Sequence, residues 1–233
     1  MMRLDKFLCE TDKCTRSQAR DWIRQGLVTV EGETVRSPEA RICEDRDLVC
    51  LQGSPLIYRK YVYYMLNKPQ GVVSATADNR DKTVVELLGK DKRPDIFPAG
   101  RLDKDTEGFL LLTNDGPLAH RLLAPGRHVN KTYMVTIEHG LTREESDLLE
   151  AGVEIGEKKP ARAVGIQAID ETHILLTLQE GKFHQVKRML QAVDNHVLAL
   201  KRISFGGLLL DERLRPGEYR ELTEAEVKIL YDA

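Results

Sequence analysis

A short stretch of turn-forming residues, 52–55, divides this chain of 233 residues into two parts with different patterns. Glycine, serine and proline in succession favour turns over helices and strands, so we interpret residues 52–59 as a linker. Residues 1–51 show two helical patterns followed by short extended runs. Residues 60–233 show mostly extended runs with three or four helices. The length suits one medium domain plus a small one, and the sequence therefore predicts a two-domain protein of the α+β class.

Composition narrows the class of protein further. Hydrophobic residues make up 41% and charged residues 31% of the chain, which permits a sizeable core and argues against disorder. The formal net charge is only −2, so nucleic-acid binding must be argued from local clusters. No apolar run approaches the roughly 18 residues needed to span a bilayer, and the N-terminal residues lack the apolar core of a signal peptide. We expect a cytoplasmic protein with no membrane partner.

The four cysteines all lie within the first 50 residues. Their spacing does not fit the closely spaced ligand pairs of zinc ribbons and fingers. Reduced, partly buried thiols are the simpler interpretation, and we expect no metal site.

Arginines recur every four residues on the second predicted helix, which begins after Thr15 or Ser17 and ends at Gly26. Residues four apart share one face of a helix. A solvated basic face is the simpler interpretation, but guanidinium groups also suit bidentate contacts with phosphate. The candidate RNA-binding residues are Arg16, Arg20 and Arg24.

Local signals also place elements in the larger part. Capping boxes begin two predicted helices, one at Thr142 and one at Thr223. Pro117 suits the first turn of another helix, which continues to Leu123. Predicted strands cover residues 61–66, 109–113, 131–138 and 172–179.

Three stretches of the larger part could carry chemistry. The first is the charged loop 100–108, which lies between two glycines just before a buried strand. Such loops often carry function, although a solvated turn is the alternative. A glycosidase would need two opposed carboxylates, and Asp103 and Asp105 are too close in sequence to guarantee that arrangement.

The second stretch, residues 119–137, contains no acidic residue and combines basic side chains with Tyr133. This mixture suits RNA, because an unstacked base can lie against an aromatic ring. A tyrosine buried in the core of a strand is the simpler alternative.

The third stretch, residues 180–190, predicts an amphipathic helix. Helical spacing separates an apolar face, which includes Val186 and Met189, from a polar face with His184, Lys187 and Arg188. The basic face follows a glycine turn, so it is either an ordinary solvated surface or one directed into a cleft.

The motifs in these stretches resemble those of the ribosomal RNA pseudouridine synthases of the small-subunit (RsuA-like) type. Residues 2–51 resemble the S4 RNA-binding module, and the resemblance covers nearly the whole chain in the expected order. The motifs are residues 65–71, Gly100-Arg101-Leu102-Asp103 with Thr106 and Gly108, Lys131-Thr132-Tyr133, Gly181 with residues 184–189, Gly206-Gly207, and residues 216–220.

This resemblance implies an S4-like module followed by a pseudouridine synthase domain, with a mixed, largely antiparallel central sheet and an active-site cleft across it. It implies isomerisation of uridine to pseudouridine without a cofactor. Asp103 matches the nucleophilic aspartate and Tyr133 the tyrosine that stacks on the target base. Lys187 falls where many relatives carry an arginine paired with that aspartate. The implied substrate-binding residues are Arg101, His184, Arg188 and Ile203, the last as an apolar wall.

The resemblance favours one uridine of 16S ribosomal RNA, the U516-type site, in an assembling small subunit, with the protein acting as a monomer. A synthase acting on 23S RNA is the alternative within the same class. A non-catalytic ribosome-assembly protein that binds RNA is the alternative from a different class. Whether Asp103 attacks the sugar, attacks the base or assists elimination stays open.

Overall fold

The computed structural model describes residues 1–11 and 14–233. These residues form two compact units, 1–60 and 61–233. Among the residues described, no helix combines the length and the apolar character needed to cross a membrane.

The small unit combines two helices with short strands. The elements are β1 (Met2–Arg3), α1 (Leu4–Thr11), α2 (Arg16–Arg24), β2 (Val28–Val30), β3 (Glu33–Thr34), β4 (Arg41–Ile42), β5 (Val49–Leu51) and β6 (Ser54–Leu56). A four-stranded antiparallel sheet has the order β3-β2-β5-β6, and β1 pairs separately with β4.

Helix α2 begins as its sequence predicts. The Thr15 hydroxyl accepts a hydrogen bond from the backbone N–H of Gln18, and the Gln18 side chain accepts one from the backbone N–H of Thr15. This reciprocal capping box stabilises the first turn, so Thr15 is the cap. Ala19 and Ile23 are fully buried on the face of α2 that packs against the core. The three arginines of this helix therefore lie toward the surface.

The prediction of a linker at residues 52–59 is wrong. Gln52 and Gly53 both have positive φ, 51° and 80°, as a tight two-residue hairpin turn requires. The turn leads into β6, which pairs antiparallel with β5. Pro55 is tolerated because β6 is an edge strand. The glycine and proline that favoured a linker therefore form a hairpin, and the small unit extends to Lys60.

The larger unit is built on one extended sheet. Its elements are β7 (Tyr63–Lys68), β8 (Phe97–Pro98), β9 (Glu107–Thr113), α3 (Gly116–Leu123), β10 (Lys131–Ile137), α4 (Arg143–Ala151), β11 (Gly165–Ala168), β12 (His173–Leu178), α5 (Gln185–Gln191), β13 (Val197–Phe205), β14 (Leu208–Leu209), β15 (Tyr219–Glu221) and α6 (Glu224–Asp232), with 3-10 turns at Val85–Asp91 and Pro125–Arg127. The sheet has the strand order β11-β12-β10-β13-β9-β7-β15. All neighbours in this order are antiparallel except β9 and β13, which are parallel, so the predicted mixed, largely antiparallel sheet is confirmed.

Strand β9 lies inside this sheet, between β13 and β7, and is covered on both faces. Successive side chains of a strand point to opposite faces, so Leu110 packs into one core cluster and Phe109 into the other. The first cluster also holds Tyr133 of β10 and Val186 of α5. Tyr133 and α5 therefore lie on the same face of the sheet.

Gly108 allows the single parallel contact between β9 and β13. It lies opposite Arg202, with φ at +102°, and a Cβ atom there would lie 2.2 Å from the Arg202 carbonyl oxygen. Only glycine permits this approach. The close contact brings the charged loop before β9 next to β13 and β10.

Candidate active site

The loop that carries Asp103 is fixed by a fully buried lysine at the end of β7. The Lys68 ammonium donates to the backbone carbonyls of Asp103 (3.0 Å) and Thr106 (2.9 Å). It also lies within hydrogen-bonding distance of the carbonyls of Pro69 (3.1 Å) and Lys104 (3.3 Å). Removal from water lowers the pKa of Lys68 to about 8. One buried cation thus holds the backbone at Asp103 and just after it.

A second clamp acts on the loop just before Asp103. The Ser74 hydroxyl donates to the Leu102 carbonyl at 2.8 Å and accepts from the Leu102 N–H at 3.0 Å. With its backbone held at residues 102–106, the loop presents Asp103 in a defined position.

The three stretches singled out in the sequence meet at one cavity of about 350 Å³. Arg101, Asp103 and Thr106 of the loop line it, together with Tyr133 of β10. The remaining lining residues that matter here are Lys131, Leu178, Glu180, Phe183, His184, Leu200 and Arg202. The Tyr133 side chain belongs to the core and to the cavity wall at once, and the residue is only 8% exposed.

Two basic side chains approach the Asp103 carboxylate. Its Oδ2 atom lies 3.7 Å from Lys187 Nζ and 3.8 Å from His184 Nε2. Lys187 donates more closely to Asp105, with both carboxylate oxygens at 2.7 Å, and this contact holds the pKa of Asp105 below its usual range. Lys187 therefore lies between two carboxylates, and the pairing with Asp103 implied by the family is the longer of its two contacts.

The helix predicted over residues 180–190 begins only at Gln185. The Gln185 side chain accepts from the backbone N–H of Lys182 and donates to Glu180, which holds residues 180–184 in a turn. His184 has φ at 48°, in the left-handed region. Its ring stacks on Phe183 with centroids 3.8 Å apart, and Phe183 is 66% exposed. An aromatic surface therefore stands at the rim of the cavity.

Arg188 is not among the residues that line the cavity, and its implied substrate contact stays a prediction. Its guanidinium donates to the carboxylate of Glu157, to the carbonyl of Phe183 and to the carbonyl of Ile155. These bonds tie α5 to residues 155–157, a structural role that sequence spacing along the helix could not reveal.

Ile203 also fails to line the cavity. Tyr133 lies opposite Arg202 whereas Thr132 lies opposite Ser204, so Ile203 is the extra residue of a β-bulge. A bulge shifts the alternation of side chains along a strand. Leu200 provides the apolar wall from β13 instead.

The small unit carries the predicted basic face on α2. Arg16 and Arg24 are exposed, whereas Arg20 forms an ion pair with Asp5 at 3.3 Å. Arg36, which the sequence did not single out, donates to the carbonyl of Arg24 at 2.9 Å. It adds positive charge at the C-terminal end of α2, where the helix dipole favours a cation.

Two further basic residues of the cavity were not identified as site residues from the sequence. Lys131 and Arg202 are 7% and 2% exposed. Burial, together with the nearby charge of Arg202, lowers the pKa of Lys131 to about 8. The sequence placed Lys131 in a basic stretch and in the Lys131-Thr132-Tyr133 motif without a role, because the pairing of β10 with β13 that brings the two cations together has no local signal.

Known proteins resemble this chain over its whole length. The family model described as RNA pseudouridylate synthase matches residues 62–192, and that of the S4 domain matches residues 2–48. An RNA pseudouridine synthase of Bacillus subtilis, YtzG, described as uncharacterized, is 50% identical over 98% of each chain. The ribosomal small subunit pseudouridine synthase A of Escherichia coli is 42% identical over 97% of this chain and 98% of the other. A crystal structure of a pseudouridylate synthase, 39% identical, covers 99% of this chain and 100% of that chain with a TM-score of 0.70.

Proposed function

Because the chain belongs to the RNA pseudouridylate synthase family and carries an S4 domain, we propose that it isomerises one uridine of 16S ribosomal RNA to pseudouridine. The relative from Escherichia coli is named for the ribosomal small subunit, which supports this choice of RNA. The observation that carries the proposal is the anchored Asp103 carboxylate, which lines a cavity beside Tyr133 and within 4 Å of two basic side chains.

Asp103 is the proposed nucleophile. The reaction breaks the bond between the uracil nitrogen and the sugar, turns the base, and forms a carbon–carbon bond. A carboxylate held in a fixed position can trap the electrophilic partner while the base turns. The backbone contacts of Lys68 and Ser74 hold the loop, so the position of this group is set before the RNA binds.

Lys187 is the proposed cation of the nucleophile. Its ammonium lies 3.7 Å from Asp103 and 2.7 Å from Asp105, so Asp105 fixes the lysine beside the carboxylate. The positive charge attracts the Asp103 carboxylate and orients it.

Tyr133 is the proposed partner of the base. Its ring forms part of the cavity wall, where it can stack on uracil. Its hydroxyl is available to remove the proton from the carbon at the new junction.

The rim of the cavity suits the RNA strand on either side of the target. Arg101 is exposed there and suits a phosphate. The exposed Phe183 ring, stacked on His184, offers a face to a neighbouring base. The target uridine has to leave its stack to enter the cavity. This requirement favours an assembling subunit over a finished one as the substrate. The enzyme that acts on it is proposed to be a monomer.

The test is conversion of purified 16S and 23S RNA by the purified protein, with pseudouridine mapped at single-nucleotide level. We expect one new pseudouridine, in 16S RNA. Modification of 23S RNA alone would favour the alternative substrate. Tight binding of 16S RNA without product, under conditions where the Escherichia coli relative is active, would favour a non-catalytic RNA-binding protein.

A further inference from the structure

Two buried cations in the cavity wall have more hydrogen-bond donors than partners. The Lys131 ammonium has three N–H donors and one hydrogen bond, to the Val129 carbonyl at 3.1 Å. The Arg202 guanidinium has five and one hydrogen bond, from Nε to the Phe109 carbonyl at 2.7 Å. Within residues 1–11 and 14–233, Arg202 Nη2 is buried without a hydrogen-bond partner, as is the hydroxyl oxygen of Thr106.

Glu180 lines the same cavity and acts on Lys131 through its charge, but its carboxylate is paired with Lys182 at 3.2 Å. Neither Lys131 nor Arg202 forms an ion pair with a carboxylate in the part of the chain that the structure describes. Both charges lie near the Phe205 ring, at 5.8 Å and 5.1 Å from its centroid. A ring face attracts a cation, but it does not satisfy the remaining N–H donors. Buried charges are normally paired, so the donors point to a ligand that enters the cavity.

We infer that Lys131 and Arg202 bind the carbonyl oxygens of the target uracil and stabilise the negative charge that develops on the ring during the reaction. The inference rests on the proposed function, because it assumes that uracil occupies this cavity. It makes both residues stabilisers of the reacting base, distinct from the nucleophile and its cation.

The negative charge on the uracil ring follows from the movement of electron pairs during the reaction. If the N1–C1′ bond breaks first, its electron pair stays on N1 and is shared with O2 and O4. C1′ is then bonded by an Asp103 oxygen or loses a proton from C2′. If Asp103 instead adds to C6, the electron pair of the C5–C6 double bond moves through C4 to O4. In the second route the N1–C1′ bond breaks next, with its electron pair on N1. In both routes C5 then bonds to C1′, while the Asp103–C1′ bond of the first route breaks or C2′ takes its proton back. C5 finally releases its proton to a base and N1 takes one up, and in the second route the Asp103–C6 bond breaks as the C5–C6 double bond forms again. The uracil oxygens carry negative charge before that step, and preorganised cations lower its energy.

The surroundings favour a base over a phosphate at this position. Tyr133, Leu178 and Leu200 line the same cavity, so the cations lie among flat and apolar surfaces. A uracil ring presents two acceptor oxygens and two apolar faces, which matches this lining. A phosphate carries a full charge, and the exposed Arg101 at the rim is better placed to bind it.

The direct test uses free 5-fluorouracil, whose ring is acidic enough to form its anion near neutral pH. Fluorine NMR follows deprotonation of the base, free and bound to the full chain, as pH is raised. We expect the wild-type protein to bind the anion more tightly, so that bound base loses its proton at lower pH than free base. Lys131→Met should abolish this preference and Lys131→Arg should retain it.

Lys201→Met is the matched control. Lys201 lies on β13 between the cavity residues Leu200 and Arg202, so alternation places its side chain on the other face of the sheet. The variant removes the same charge and should leave the anion preference unchanged. The inference would be overturned if free base and base bound to the wild-type protein lost their protons at the same pH. It would also be overturned if Lys131→Met kept the anion preference of the wild type.

A second measurement separates this inference from the proposed function. In single-turnover assays on 16S RNA, Lys131→Met should react roughly 10²–10³-fold more slowly, the cost of losing one preorganised donor, with RNA affinity unchanged. An anion preference in a wild-type protein that does not modify 16S RNA would uphold the cationic pair and refute the proposed RNA. Modification of 16S RNA by a wild-type protein without an anion preference would support the proposed function and refute the role of Lys131 and Arg202.

Discussion

Replacing Lys68 with methionine should damage activity far more than stability. Methionine has a similar length and is apolar, so it can occupy the buried space. It cannot donate to the carbonyls of Asp103 and Thr106, which fix the loop that carries the proposed nucleophile. The structure allows both effects to be estimated.

The stability effect is a difference between two opposing contributions. Only the contact with the Thr106 carbonyl is fully buried, and leaving such a group unpaired costs about 1–3 kcal/mol. The other three carbonyls are partly accessible, so water can replace the hydrogen bonds that they lose with Lys68. Burial lowers the pKa of Lys68 from 10.5 to about 8, which corresponds to about 3 kcal/mol against the charged form. The variant avoids this cost, and we expect a net loss below about 2 kcal/mol, well within the stability of an ordinary domain.

The activity effect has no such compensation. A displacement of about 1 Å at a reacting group costs roughly 10²-fold in rate, and the released loop can move Asp103 by that distance. Single-turnover formation of pseudouridine gives the rate, and urea unfolding gives the free energy of unfolding. Lys104→Met is the control for stability, because Lys104 is exposed and pairs with Asp81 at the surface, a contact worth less than about 1 kcal/mol. Near-wild-type turnover in Lys68→Met would refute the anchoring of the loop by Lys68. A loss in the free energy of unfolding well above about 2 kcal/mol would show that the unpaired carbonyls cost more than the buried charge.

Three further predictions concern other parts of the chain. Tyr133→Phe should bind RNA normally but react about 10²–10⁴-fold more slowly in a single turnover, since general acid–base catalysis is lost; a loss within a few-fold would leave only a stacking role. Replacing Arg16 and Arg24 with alanine should weaken RNA binding and flatten its salt dependence by a slope of roughly 0.7–0.9 per lost phosphate contact, and an unchanged slope would count against the basic face as a phosphate contact. The wild-type rate should fall as pH rises above about 8, because Lys68 and Lys131 have pKa values lowered to about 8 and lose their protons there; a rate that stays constant to pH 9.5 would contradict a role for both cations.

Local signals in the sequence predicted the elements that local contacts stabilise. The capping boxes at Thr142 and Thr223 are both present, and each helix begins directly after its cap. The predicted strand 131–138 is observed as Lys131–Ile137. In these cases the residues that determine the element lie within one turn of each other or alternate along one strand.

Long-range contacts explain where prediction failed. Nothing local distinguishes a hairpin turn from a linker at Gly53, because pairing with β5 decides between them. The start of α5 depends on which backbone the Gln185 side chain contacts. The sequence also could not show which carboxylate Lys187 binds more closely, since Asp105 lies 82 residues away along the chain.

The most direct test of the proposed function is a pseudouridine map of ribosomal RNA from cells that lack this protein. The map should lose a single site, in 16S RNA, and the wild-type protein supplied in trans should restore it. Asp103→Asn should not restore the site, although the variant should fold and bind RNA, because the amide keeps the shape of the side chain but loses the nucleophilic charge. An unchanged map, or full restoration by Asp103→Asn, would contradict the assignment of Asp103 as the nucleophile of a 16S RNA pseudouridine synthase.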